Sequence, residues 1–166
     1  LARSTRLFRG IAIILLLIPN AAAACIDIAP FEIEDIRQAD AVFSGHLVRY
    51  EIVSPGRPNT LDDYGLLTVQ VDQVFKGEAS GQVQLYWWNS TFGMPEELLV
   101  TEPALFAAVR SDSEGLPLRG PSATIFPSRR QDLMQVLQAP CSGTFILPYS
   151  KNDANDVRAI LNGGSI

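Results

Sequence analysis

The sequence predicts an α+β domain, mainly β with short helices. Two segments, Leu67 to Phe75 and Gln82 to Asn89, alternate apolar and polar residues, which is the period-two pattern of half-buried strands. Two more, Ala41–Val53 and Ala104–Arg110, are rich in β-branched, aromatic and other apolar residues and end at loop signals. Helix signals are confined to short stretches.

From the amino end of the domain, Pro30 to Asp40 reads PFEIEDIRQAD. Phe31, Ile33 and Ile36 are apolar, the acids come early and Arg37 comes late, so a short helix with charges suited to its dipole is expected. Ala41–Val53 forms one long strand, and Ser54 to Asn59, with Pro55, Gly56 and Pro58, breaks it. In the next strand Leu67, Val69, Val71 and Phe75 are expected on one face and Thr68, Gln70 and Asp72 on the other. Lys76 to Gly81 is a turn, and in the strand that follows Val83, Leu85 and Trp87 point inward, closing a hairpin or meander.

Ser90 to Pro103 carries Gly93, Pro95 and Pro103 and reads as a connection. Leu116 to Pro121 reads as an edge strand or extended loop, since proline cannot donate to a central ladder. Ser128 is expected to cap a helix running to about Leu137, with Leu133, Met134 and Leu137 buried. Thr144 to Pro148 is extended, and Asn152 or Asp153 is expected to cap a last helix through Leu161, ended by Gly163-Gly164.

Residues 1–24 read as an export signal. Arg3, Arg6 and Arg9 precede the apolar run Ile11 to Ile18, and Ala22-Ala23-Ala24 leads into Cys25, a junction that a signal peptidase accepts. The apolar run is closed by Pro19 and is far shorter than the ~20 residues of a membrane span. With Leu at position 1, the chain is expected to be either a fragment or one that begins at a non-standard start codon, and the whole signal pattern favours the second. The mature chain is therefore expected to begin at Cys25 and to act in the periplasm or outside the cell, as one domain over residues 25–166.

Cleavage would remove three of the 13 basic residues and none of the 18 acidic ones, moving the net charge from −5 to −8. Phosphate backbones are bound through clustered Lys and Arg, so this balance argues against nucleic acid or an anionic membrane as partner. The two cysteines, Cys25 and Cys141, are most simply a disulfide in an exported protein. No cofactor is expected, and a structural metal is not, because the sole histidine is His46.

The order of these segments resembles a known family. The runs ADAVFSGHLVRYEIV, LLTVQVDQVFKGE, VQLYWW, ALFAAV and PCSGTFIL, after a signal and a cysteine and before a terminal helix, resemble the tissue-inhibitor-of-metalloproteinase-like, or netrin-like, domains of bacterial secreted proteins. The resemblance implies a five-stranded OB-like Greek-key barrel with flanking helices at both ends, pinned by a Cys25–Cys141 bridge. It also implies a role for the first residue of the mature chain. In the animal inhibitors the α-amino group and carbonyl of such a cysteine chelate the zinc of the target protease, and Cys25 matches that position. Those inhibitors open with Cys-x-Cys and carry several disulfides, whereas this chain opens Cys25-Ile26-Asp27.

Other residues carry groups capable of chemistry. His46 could pair with a nucleophile such as Cys141, but a bridged cysteine has no thiolate and no acid is recognisably placed to orient the imidazole. Trp87 and Trp88 face opposite ways in a strand, so Tyr86 and Trp88 would form an outward aromatic patch able to bind a sugar, a peptide or a protein. Asp62-Asp63 and Glu96-Glu97 lack the ligand spacing of a calcium loop, and Asn89-Ser90-Thr91 matches a glycosylation acceptor.

Three functions follow as expectations. The first is an exported, non-catalytic module that binds another protein, a metalloprotease among the candidates, through Cys25, Ile26 and adjoining loops or through Tyr86 and Trp88. The second is an envelope lipoprotein, because lipidation also occurs at a cysteine after small residues. A lipidated Cys25 would leave Cys141 unpaired. The third, a secreted hydrolase, requires a polar cluster that is not visible in the sequence.

Overall fold

A computed structural model of the chain describes residues 31–54, 64–88, 102–113, 128, 130–139 and 143–164. Eight strands occur among these: β1 (Ala41–Val53), β2 (Tyr64–Lys76), β3 (Gln82–Trp88), β4 (Ala104–Val109), β5 (Met134–Val136), β6 (Gln138–Ala139), β7 (Gly143–Thr144) and β8 (Ile146–Pro148). A 3₁₀ helix, Ile33–Gln38, precedes them, and a helical stretch made of a 3₁₀ turn, Lys151–Asp153, and α1 (Ala154–Leu161) follows.

The first five strands close on themselves in the order β1-β2-β3-β5-β4, with β4 pairing back to β1. This is a closed, OB-like five-stranded barrel. Only the β3–β5 pairing is parallel, and β8 extends the wall from β4. Ala41 to Gly45 pairs with Ala108 to Ala104 to shut the barrel. Its interior is filled by Phe43, Leu67, Val69, Leu85, Trp87, Phe106 and Val136, with the Phe43 and Phe106 rings stacked at 5.6 Å.

A second core lies on the other side of the wall. Val42, Leu105, Ala107 and Leu137, which alternate with the inward residues, pack against Ile36, Val157 and Ile160 of the two helical segments. Arg37 ties those segments together by donating from Nε to the Ile160 carbonyl at 2.8 Å, where the end of α1 leaves carbonyls without intrahelical partners. Asp153 stands at the N-cap of α1, as expected, though its carboxylate accepts from the Ser150 N–H; Ser150 caps the 3₁₀ turn before it, its hydroxyl accepting from the Asn152 N–H.

Three expectations change. The segment after Ser128 is not a helix: Met134–Val136 is inserted between β3 and β4 and bonds to both. An amphipathic helix of that length is marginal alone, and the barrel could not close without a strand there. Ser128 serves a local turn instead, donating to the Arg130 carbonyl and accepting from the Arg130 N–H. Phe75, expected inside with Leu67 and Val69, packs in the outer core against Tyr149 at 5.8 Å. The register explains it. Ser44 and Gly45 oppose Gln73 and Val71, and Val42 and Phe43 oppose Lys76 and Val74, so Asp72 and Phe75 are each one extra residue in β2, and an extra residue switches faces downstream. The Ser90 connection and the Leu116 edge segment fall outside the described residues, apart from the end of the connection at Glu102 and Pro103.

Gly45 is required at the first bulge. A Cβ on it would lie 2.2 Å from the Gln70 carbonyl oxygen, so Gly45→Ala must push β1 and β2 apart. The substitution is expected to cost about 1–3 kcal/mol, as overpacking does, read as a lowered urea midpoint. An unchanged midpoint would mean that the two strands do not approach this closely.

Candidate functional site

The bulge at Asp72 builds a polar feature of the outer wall. On β1, Val42, Ser44 and His46 share the outward face, and Val42 is covered by the helices. Beyond that cover, Ser44 and His46 line a cleft of about 650 Å³ together with Asp72, Pro103, Tyr149 and Lys151. Four separate chain segments meet there: β1, the bulge of β2, the lead into β4 and the residues after β8. The Tyr149 N–H donates to the Pro103 carbonyl at 3.0 Å and holds the last two together.

His46 Nδ1 lies 2.9 Å from Asp72 Oδ2, both side chains being a little under half exposed. An acid is thus placed to orient the imidazole, contrary to the expectation from sequence. Asp72 comes to it because a bulge re-aims the extra side chain. Nucleophilic catalysis requires a nucleophile bonded to the base. The Ser44 hydroxyl, two residues away on the same face, has no hydrogen-bond partner among the described residues, so what the arrangement presents is a set of hydrogen-bonding groups around an open volume. No group of three His, Cys, Asp or Glu side chains able to hold a metal occurs among the described residues.

The aromatic face is arranged differently from the expected patch. Tyr86 is buried, only 5% exposed, with its ring 4.8 Å from that of Tyr64. Trp88 is half-buried, and its carbonyl accepts from Gln138 Nε2 at 3.0 Å. Beside them, Arg130 donates to the Tyr64 hydroxyl and makes a paired contact with Asp132, at 2.9 and 2.6 Å. This pair holds the Arg130 guanidinium well above its ordinary range and the Asp132 carboxyl below its own. Cys25, Ile26, Cys141, the paired acids at 62–63 and 96–97, and Asn89 lie outside the described residues.

No protein-family model matches the chain, and no curated protein matches it significantly. Among the described residues no helix is long and apolar enough to cross a membrane.

Because the folded state holds Asp132 below its ordinary value of 3.8, its contribution to stability is present above that value and is lost as pH falls through the lowered one. Arg130→Met is expected to return the Asp132 titration, followed by carboxyl-carbon NMR, to the ordinary range. A titration curve left where it was would show that the backbone and not Arg130 sets it.

Proposed function

We propose that this is an exported, non-catalytic binding module of the metalloproteinase-inhibitor-like or netrin-like kind, which contacts another protein through the processed edge at Cys25 and Ile26. The observation that carries the reading is the packing of Phe31 edge-on against Phe145, with ring centroids 5.6 Å apart. Phe31 follows Cys25 by six residues and Phe145 follows Cys141 by four. At about 3.3–3.6 Å per residue, segments of that length reach across roughly 13–21 Å, so a Cys25–Cys141 bridge is within the span of the chain.

Such a bridge would hold the new amino terminus against the barrel wall. A rigid terminus presents its amine and backbone groups to a partner with less ordering cost than a free one. The closed OB-like barrel supports the reading as scaffold only, because one fold serves many functions.

Intact mass is the first test. The exported protein should begin at Cys25 and weigh two hydrogens less than the dithiol form. A mass carrying acyl chains would instead assign the lipoprotein, and two free thiols would remove the anchor on which the reading depends.

Cys141→Ser should lower stability by about 2–4 kcal/mol, the usual contribution of a disulfide closing a long loop, as measured by denaturant unfolding of the oxidised protein. The contact surface is tested by adding one residue ahead of Cys25, which displaces the α-amino group and leaves the barrel intact. Binding to a partner isolated with the native form should weaken sharply. Equal affinity of the two forms would move the contact to the face at Tyr64 and Trp88.

A further inference from the structure

The cleft on the outer wall holds polar groups that the fold leaves without partners. Tyr149 is 7% exposed and its hydroxyl, buried, has no hydrogen-bond partner among the described residues. Ser44, 1% exposed, lines the same cleft. Burying a hydroxyl unpaired costs on the order of 1–3 kcal/mol, and one such group, in a residue that lines the cleft, points to a ligand that would pair it.

Charge narrows the class. Of the described Lys and Arg side chains, Arg37 and Lys76 bond to backbone carbonyls, Arg49, Arg110 and Arg130 pair with acids, and Arg158 bonds to Asn155. Lys151, at the mouth of the cleft, is alone among them in having no partner. In a chain with 18 acidic and 13 basic residues, a cation left without an acid leaves room for an external one. Among the described residues the only carboxylate lining the cleft, that of Asp72, is already engaged by His46. The rest of the lining includes Val71, Pro103 and the Tyr149 ring, which suits a short apolar body behind the charged group.

We propose that this cleft is a binding site for a carboxylate, held by the Lys151 ammonium and the Ser44 and Tyr149 hydroxyls, with His46 beside it. A cleft of about 650 Å³ lies within the usual range of ligand sites. The site is independent of the partner surface at Cys25, and the probe needs no identified partner.

His46 is the sole histidine, so its imidazole proton signals report the cleft without assignment. The mature oxidised protein is titrated with N-acetyl-Leu-Ala as the free acid, with its amide, and with propionate. The free acid should give a saturable shift of the His46 signals with affinity about tenfold above that of the amide, the difference a charge-assisted hydrogen bond makes. Lys151→Met should abolish that preference. Tyr149→Phe should weaken acid binding while leaving the unfolding midpoint the same or higher, since it removes an unpaired hydroxyl and keeps the ring; a merely structural tyrosine would not separate the two readouts. Propionate binding as tightly as the peptide assigns a small organic acid, and weaker binding of propionate assigns a peptide carboxylate. Equal binding of acid and amide, or no saturable shift with either acid, overturns the proposal.

Discussion

The pairing of Ala41–Gly45 with Ala104–Ala108 turns a sheet into a barrel, and the remaining structure depends on it. With that seam shut, β1 and β4 have no free edge over these residues, and edge strands are where sheets recruit unwanted partners. The seam also fixes which side chains meet. Phe43 and Phe106 stack inside it, while Val42, Leu105 and Ala107 face out to meet the helices. Small residues at Ala41, Ala104, Ala107 and Ala108 let the walls come together without crowding either core. Asp40 secures the end, its N–H donating to the Ala108 carbonyl and its carboxylate accepting from the Arg110 N–H at 2.7 Å.

Closure imposes curvature, and β2 absorbs it through two extra residues. Phe75 is turned outward to the Tyr149 ring and lies under the Arg158 guanidinium, joining the barrel wall to the terminal helix. Asp72 is turned toward His46. The same local geometry that bends the strand therefore sets the polar pair of the cleft. Gly45 is the condition for both, because no side chain fits between it and the Gln70 carbonyl.

The outer wall is thus divided into two regions. One is sealed by the helices over Val42, Leu105 and Leu137, with Phe31 and Phe145 at its margin. The other is left open over Ser44 and His46. Both regions depend on the segment from Phe145 to Lys151, which supplies Phe145 to the first and Tyr149 and Lys151 to the second. The proposed amino-terminal contact and the proposed carboxylate site share this support without sharing residues.

Local pattern by itself determined the long strands. Ala41–Val53 was legible from composition, the hairpin of β2 and β3 from alternation, and the terminal helix from its capping residues and Gly163-Gly164, because each is dictated by residues near in sequence. The order in which the strands pair is not contained in that local pattern. What local pattern could not carry was anything set by a distant strand. Residues 134–136 are strand because β3 and β4 both need a partner there, although their apolar spacing suits a helix equally well. Tyr86 is buried despite its outward parity, and its ring stacks on Tyr64 from another strand. The cleft was the least legible part. His46 stands out as the sole histidine, but Ser44, Asp72, Tyr149 and Lys151 are ordinary strand and loop residues until closure and one extra residue in β2 bring them together, and a bulge has no composition by which a single sequence announces it.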